Sequence, residues 1–369
     1  MIISPQVCYG TYKGQAIHYR AKHALMELFI SQTRRPFVLG LIIAFVTVFC
    51  VIGTLLFGYR YLNSPISAIQ SGVIFEVEAG SSFSRVTGEL AQKGYLDYPQ
   101  LFVGLARLRD VADSIKSGEY ELYTGITPRQ LLEKMVIGDN VQYRITFIEG
   151  WTLNQVLEEL KNSEKLTLDL NNANSSEIAT ALGLEQQSPE GMLFPDTYFY
   201  TKGTTDLEIL KRASSRLDEV LSKAWNSRLG ALPYENAYES LIMASIIEKE
   251  SAQGSERSTI ASVFVRRLEL GMRLQSDPTV IYGMGEDFQG DLRRADLEAE
   301  NPYNTYDIDG LPPTPIALAG LQSVTASLNP APSNYLYFVA KGDGSHYFSS
   351  TLEEHNDAVA RYQKSAEAQ

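Results

Sequence analysis

An uncharged apolar run near the N-terminus constrains this chain more than any other feature. Residues 36–58 read PFVLGLIIAFVTVFCVIGTLLFG, which is 23 residues without a charged side chain. A helix needs roughly 20 apolar residues to cross a bilayer. Buried helices of soluble domains seldom run this long without a polar flank. The run therefore predicts a transmembrane helix at 36–58, preceded by a tail of residues 1–35.

The charges of the tail predict the orientation of this helix. Residues 1–35 carry five Lys and Arg against a single acid, Glu27. Because an excess of Lys and Arg marks the cytoplasmic side, the chain beyond about residue 60 is expected outside the cytoplasm. A cleaved signal peptide is the alternative, but 66–68 (ISA) makes a poor cleavage site, which favours a retained anchor. The sequence leaves the start open between Met1 and Met26.

Cysteine usage and charge limit the classes of partner. The two cysteines, Cys8 and Cys50, fall in the tail and the apolar run, so the exported part forms no internal disulfide. The first 60 residues have net charge +5 and the other 309 have net charge −17. Such an acidic part argues against nucleic acid, whose binding needs cations. A glycan ligand would be held by hydrogen bonds and aromatic rings, which the 21 tyrosines make plausible.

After a linker at 59–72, residues 73–143 predict a small α+β module. An alternating strand at 73–77 precedes a helix whose apolar residues Phe83, Val86 and Leu90 recur at helical spacing. A second helix, a return strand at 118–122 and a helix between Thr127-Pro128 and Gly138 complete it.

The opening of this module recurs about seventy residues later. Residues 144–150 predict another strand and turn, and Gly150 and Thr152 match Gly80 and Ser82 in register. Residues 144–189 therefore form a second βα unit with connecting helices. A strand, glycine, polar cap and helix in this order resemble the opening of LysM modules, which bind N-acetylglucosamine polymers. Any βα unit can imitate this pattern, so a glycan-binding role and a purely structural role both remain open.

Residues 190–360 are predicted to be the chemical domain, with 361–369 as a C-terminal tail; the expected fold class is mixed α+β. Its first motif, 190–198 (EGMLFPDTY), has a glycine and a proline that fix turns, and Tyr198 supplies a flat ring. Alone, this motif is equally consistent with a rigid loop against the core.

The second motif, 241–251 (LIMASIIEKES), predicts a buried helix that ends in two carboxylates. Glu248 and Glu250 are turned by roughly 200° from one another, so they cannot share a face. Glu250 continues an apolar stripe, where desolvation raises a carboxyl pKa toward the value that a general acid needs near neutral pH. The alternative is that both glutamates are solvated, or paired with Lys249 or Arg257.

The third motif begins at Ser255, which is predicted to cap a helix that ends at Gly271 and exposes Arg266 and Arg267. The following run, 272–285 (MRLQSDPTVIYGMG), alternates polar and apolar residues beside a proline. Two proline-fixed loops (301–306 and 310–316) and a hairpin at 335–349 complete the domain.

Motifs for other chemistries are missing from the sequence. No His/Cys cluster has the spacing of zinc ligands. There is no G-x-S-x-G elbow, P-loop or dinucleotide fingerprint. We expect neither a metal nor a cofactor, and His346, on a strand, is expected to be structural.

Taken together, the motifs resemble those of the YceG-like family of endolytic murein transglycosylases. The resemblance covers roughly residues 70–360 and rests on 190–198, the Glu-Lys-Glu triplet at 248–250, 274–285, 303–306, 310–313, 335–340 and 346–348, in that order. The predicted membrane anchor and the LysM-like module at 73–143 fit the same architecture. The resemblance implies that Glu250 is the catalytic acid and base.

The resemblance also implies cleavage of the MurNAc–GlcNAc bond of peptidoglycan, leaving 1,6-anhydro ends. We expect the residues Gln275, Asp277, Thr279, Asn304 and Tyr198 to line the sugar site. Asp196 and Asp277 are the candidates for a second carboxylate, as a hydrolytic muramidase would need. A non-catalytic, membrane-anchored glycan-binding or division scaffold is the other alternative. Peptidoglycan synthases are candidate partners, and the sequence identifies no particular one.

Overall fold

The computed structural model describes residues 13–185, 188–251 and 253–362, with side chains from Val38 onward. They form a mixed α+β structure, and the chain divides into two compact units, residues 1–139 and 140–369. The helices are α1 (Lys13–Leu62), α2 (Phe83–Gln92), α3 (Pro99–Leu108), α4 (Pro128–Ile137), α5 (Leu153–Lys161), α6 (Ser175–Leu182), α7 (Asp206–Asn226), α8 (Ala237–Glu250), α9 (Arg257–Glu269), α10 (Asp277–Met284), α11 (Arg294–Leu297), α12 (Leu321–Leu328) and α13 (Leu352–Tyr362). The strands are β1 (Val73–Val77), β2 (Gly118–Leu122), β3 (Tyr143–Thr146), β4 (Thr197–Tyr200), β5 (Tyr337–Ala340) and β6 (His346–Ser349).

The predicted apolar span lies within α1. Its segment Val38–Leu62 is long and apolar enough to cross a membrane, and residues 38–57 within it are all exposed. Phe45 and Phe49 are about 70% exposed, which in water would be costly for side chains of this size. A bilayer removes that cost, so the segment suits a single-pass anchor.

The first unit pairs β1 with β2 in an antiparallel ribbon, with Phe75 opposite Tyr120. Helices α2, α3 and α4 cover it and bury an apolar core around these two rings. Ser82 Oγ accepts a hydrogen bond from Arg85 N at the start of α2, and Gly138 ends α4 with φ of 80°. The predicted order of strand, helices, strand and helix is confirmed.

The second unit opens with β3, which pairs antiparallel with β4. Gly80 and Gly150, which align in the sequence, have φ values of 76° and 79°, so both turns need the left-handed backbone that glycine adopts freely. Because β3 and β4 belong to one sheet, the predicted second βα unit and the segment after residue 190 share a core.

The centre of the second unit is α8. Every residue from Ser240 to Glu248 is buried, against α9, α12 and the segment around Ile316. Asn236 Oδ1 caps the start of α8 by accepting from Glu239 N. The buried helix is therefore fixed at one end, and its other end carries the two glutamates.

Two predictions for α9 are wrong. The helix begins at Arg257 after a 3-10 turn, Gly254–Glu256, so Ser255 lies inside that turn and does not cap α9. Arg267 is only 7% exposed and not on the outer face. The guanidinium finds backbone carbonyl acceptors in the interior, which replace the water it loses.

The predicted C-terminal hairpin is confirmed by the pairing of β5 with β6. Gly342 and Gly344 turn it with φ of 86° and 83°. His346 Nδ1 lies 2.8 Å from Glu256 Oε2, which ties the hairpin to the turn before α9. This contact is structural, as expected for His346.

Candidate active site

Glu248 and Glu250 lie on opposite sides of the end of α8, as the helical spacing predicts. Glu248 Oε1 accepts from Arg257 Nη2 at 2.7 Å, and Oε2 accepts from Gly320 N at 2.9 Å. Its side chain is 4% exposed. Both carboxylate oxygens are therefore occupied inside the protein, and Glu248 has a structural role.

Glu250 has a different environment. Its Oε1 accepts from Ser276 Oγ at 2.5 Å, and no cation within the described residues forms an ion pair with it. Burial raises the pKa of Glu250 to about 7, with a smaller rise from the charge of Asp277; the Ser276 hydrogen bond and the charge of Arg267 act in the opposite direction. A carboxyl with this pKa exists in both protonation states near neutral pH, which general acid–base chemistry requires.

Ser276 is held by a buried network of hydroxyls. Its backbone N donates to Thr305 Oγ1 at 2.9 Å, and Thr305 Oγ1 also lies 2.9 Å from Thr279 Oγ1. The preceding residue, Gln275, has φ of 54°, a conformation that non-glycine residues rarely adopt and that often marks functional sites. Gln275 N donates to Thr305 O at 3.0 Å, which stabilises this turn.

The structure brings four of the predicted substrate-binding residues into this region, at different depths. Gln275 and Asp277 are exposed on either side of Ser276, and Asp277 Oδ1 accepts from Tyr306 OH at 2.6 Å. Thr279 and Asn304 are fully buried. Asn304 Nδ2 donates to the carbonyls of Leu297 and Ala299 at 3.0 and 2.7 Å, so its amide organises the 297–304 loop.

Tyr198, the fifth predicted residue, lies in a different core cluster, with β3 and α5. It is 8% exposed, its hydroxyl donates to Phe194 O at 2.7 Å, and its ring packs on Phe147 at 5.2 Å. Asp196, one candidate second carboxylate, is exposed and accepts from Thr197 N at 2.7 Å. Asp277, the other candidate, is close enough to influence the pKa of Glu250.

A second perturbed carboxyl, Glu190, was not singled out from the sequence. It is 6% exposed; Oε1 accepts from Leu153 N at 3.0 Å and Oε2 accepts from Tyr282 OH at 3.1 Å. Burial raises its pKa to about 7. Glu190 thereby ties the start of α5 to α10, the helix that follows Ser276.

Three residues around Glu250 were missed from the sequence: Ser276, Tyr306 and Arg267. A signal existed for Arg267, because Ile260, Phe264 and Arg267 follow one another at helical spacing on a buried face. Ser276 and Tyr306 meet Glu250 and Asp277 only through the folding of loops, which local patterns do not show. The described residues contain no cluster of His, Cys, Asp and Glu that could hold a metal ion.

Comparisons with known proteins identify the family of this chain. Endolytic murein transglycosylase of Bacillus subtilis (strain 168) is 30% identical over 84% of this chain and 90% of its own length. Endolytic murein transglycosylase of Streptococcus pneumoniae serotype 2 is 28% identical over 86% of this chain, which spans 65% of that protein. The 2.6 Å crystal structure of the yceG-like protein lmo1499 from Listeria monocytogenes superposes with a TM-score of 0.51 at 32% identity, covering 78% of this chain and 99% of that one. A family model also matches residues 75–361, from β1 to the last turn of α13, so this chain belongs to the YceG-like family.

Proposed function

We propose that this chain is a lytic transglycosylase that cuts peptidoglycan glycan strands internally, at the MurNAc-β-1,4-GlcNAc bond. The relatives' activity and the family membership support this reaction. The observation that carries the assignment to a residue is Glu250, a carboxyl with pKa near 7 that is bonded to Ser276 and has no ion-pair partner among the described residues.

In the first step, protonated Glu250 gives its proton to the bridging oxygen. The bond from that oxygen to C1 of MurNAc breaks, the GlcNAc side leaves as an alcohol, and positive charge develops on the MurNAc ring. Glu250 is now a carboxylate that faces this charge. The hydroxyl of Ser276 stabilises the carboxylate, because hydrogen bonds to the charged form favour it.

In the second step, the Glu250 carboxylate takes the proton of the MurNAc 6-hydroxyl as O6 attacks C1. The product carries a 1,6-anhydro ring, no water is consumed, and Glu250 is protonated again. One carboxyl serves both steps, since the proton it gives in the first is replaced in the second. A pKa near 7 keeps either half of the cycle accessible at neutral pH.

The proposed sugar contacts come from the two exposed residues beside Ser276. Gln275 offers an amide and Asp277 a carboxylate, which suit hydroxyl and acetamide groups. Thr279 and Asn304 are buried and contribute indirectly, because their hydrogen bonds fix the segments that carry Ser276 and Tyr306. Tyr198 would contribute through the packing of β4.

The proposed location is the bacterial cytoplasmic membrane, with α1 as a single-pass anchor, the N-terminus in the cytoplasm and the remainder outside, in the periplasm. The apolar segment and the five cations before it support this arrangement. An enzyme held at this surface meets glycan strands as they are made. It would limit nascent strand length, beside the synthases that extend the strands.

The test is to incubate the full-length chain in detergent with purified sacculi and analyse the released fragments by mass spectrometry. Fragments lighter than the hydrolysis products by one water, made by the wild type and lost in Glu250→Gln, would support the proposal. Reducing-end fragments would instead support a hydrolytic muramidase. Retained sacculus binding without any cleavage would favour a glycan-binding or division scaffold.

For the first unit we propose a LysM-like role in holding glycan strands. The repeated strand, left-handed glycine, cap and helix at Gly80 and Gly150 support it. Adding chitin oligosaccharides to the full-length chain should slow amide hydrogen exchange within residues 73–139. Exchange that is unchanged there, while glycan still binds elsewhere, would assign this unit a purely structural role.

A further inference from the structure

Arg267 is a buried cation without a carboxylate partner among the described residues. It is 7% exposed, yet its hydrogen bonds go to neutral oxygens. Arg257, on the same helix and 9% exposed, donates instead to the carboxylate of Glu248 at 2.7 Å. The backbone acceptors replace the water that Arg267 loses, and its guanidinium lies 5.2 Å from the centre of the Tyr337 ring, but none of these groups is a carboxylate that could balance the positive charge.

The guanidinium of Arg267 holds the segment that leads to Ser276. Its Nη1 donates to Leu274 O at 2.7 Å and, more weakly, to Gln275 Oε1 at 3.4 Å. Its Nε donates to Leu336 O at 2.7 Å, immediately before β5. Arg267 therefore bridges the hairpin and the strained turn at Gln275, whose next residue is bonded to Glu250.

The charges of Arg267 and Glu250 interact although no ion pair joins the two side chains. Burial raises the pKa of Glu250, and the charge of Arg267 acts against that rise. Burial lowers the pKa of Arg267, and the charge of Glu250 acts against that fall. Among the described residues, other titratable groups that interact with one of the two are Asp277 on α10, Tyr306 on its loop, Tyr337 on β5 and His355 on α13. Lys249, the residue before Glu250 on α8, donates instead to Gly150 O. Asp277 is the opposing influence, because its negative charge favours the protonated form of Glu250.

We propose that Arg267 is a positioning residue for Glu250: it fixes the turn that carries Ser276 and supplies the charge that balances the Glu250 carboxylate between the two proton transfers. This role rests on the proposed function. In this role Arg267 does not contact the substrate. Before the reaction the site holds Arg267 with a neutral acid, and after the first proton transfer it holds a cation and an anion.

Two variants distinguish the effect of the positive charge of Arg267 from the effect of its hydrogen bonds to the turn. Arg267→Gln removes the charge, and we expect the pKa of Glu250 to rise by about half a unit. Arg267→Lys keeps the charge but not the planar set of donors, so the pKa of Glu250 should stay within about 0.3 units while turnover falls about tenfold. Arg257→Gln is the matched control; it should lower stability and leave the pKa of Glu250 unchanged.

The measurement is a carboxyl ¹³C NMR titration of the full-length chain in detergent, labelled at glutamate, with the Glu250 signal identified by its loss in Glu250→Gln. It requires no turnover, so a wild type without transglycosylase activity would refute the proposed function and leave this result readable. A Glu250 pKa in Arg267→Gln equal to that of the wild type would overturn the role of the charge.

A second measurement avoids any dependence on the folding of Arg267→Gln. In the wild type, the ¹⁵N signal of Arg267 Nε should move with the titration of Glu250, and in Glu250→Gln it should stay constant. The Arg257 Nε signal serves as the reference, since its partner is Glu248. An Arg267 signal that moves identically in both proteins would refute the coupling.

Discussion

Helices α8 and α9 contribute two acid–base pairs to the second unit, and the pairs differ in how completely they are satisfied. Glu248 and Arg257 meet in a 2.7 Å ion pair, with Gly320 N on the remaining carboxylate oxygen. Glu250 and Arg267 influence each other without such a bond, and Glu250 retains a pKa near 7. A closed pair has one stable protonation state and serves structure. An open pair leaves its carboxyl free to exchange a proton, which a catalytic acid needs.

The largest expected difference between the pairs is in stability. Glu248→Gln leaves the buried Arg257 only its longer ion pair with Glu149, at 3.7 Å, and we expect a loss of about 3 kcal/mol in the free energy of unfolding. Glu250→Gln breaks no ion pair and should lose far less. Urea unfolding at pH 8, followed by the fluorescence of Trp151 and Trp225, reports on the second unit. Equal losses in the two variants would contradict the division into a structural and a catalytic glutamate.

The pH dependence of stability isolates Glu250. The pKa of Glu250 is about 7 in the folded chain against 4.5 for the free side chain. The contribution of Glu250 to the free energy of unfolding is therefore fully present below pH 4.5 and is lost as pH rises to about 7. The wild type should therefore lose up to about 3 kcal/mol relative to Glu250→Gln between pH 4.5 and pH 8.

Thermal or urea unfolding of both proteins across this range measures that difference. Glu190, with a pKa also near 7, is present in both and cancels. A stability difference that does not change with pH would mean that Glu250 keeps an ordinary pKa.

Loss of the Ser276 hydroxyl should change the free energy by less than the two effects on stability above. Ser276→Ala removes a hydrogen bond that lowers the pKa of Glu250, so the alkaline limb of the pH–rate profile should move upward. Turnover should fall about tenfold, since one hydrogen bond to the carboxylate is worth about 1.5 kcal/mol. Ser245→Ala, which removes the acceptor of Ile316 N elsewhere on α8, should cost stability without moving that limb. An unmoved limb in Ser276→Ala would separate Ser276 from the chemistry.

Local patterns were enough to predict α8, which carries Glu250, but not α10, which begins at Asp277. Helical spacing placed Glu248 and Glu250 on opposite faces, and the alternation and turn residues predicted β1, β2, β5 and β6. These features depend on neighbours within a few residues, which a sequence displays directly.

The parts that escaped prediction depend on contacts between distant residues. Thr305 fixes Ser276 from 29 residues away, and nothing in either local pattern predicts that meeting. Arg267 was expected outside because charged residues are rarely buried, and its backbone acceptors become available only when the 274 and 336 segments converge. The sequence therefore predicted Glu250 as the candidate acid but not the side chains that surround it.

The smallest expected effect concerns Asp277, and it also separates the two reaction types. In the proposed mechanism Asp277 raises the pKa of Glu250 from outside, opposite to Arg267, so Asp277→Asn should lower the alkaline limit of activity slightly and leave most of the turnover. In a hydrolase that used Asp277 as its second carboxylate, the same variant would lose about a hundredfold or more. Pairing the pH–rate profile with the mass of the products decides between them. A modest shift of the alkaline limit with anhydro products retained would mean that Asp277 only adjusts the pKa of Glu250. A loss of activity of a hundredfold or more would mean that Asp277 is the carboxylate that activates water in a hydrolase.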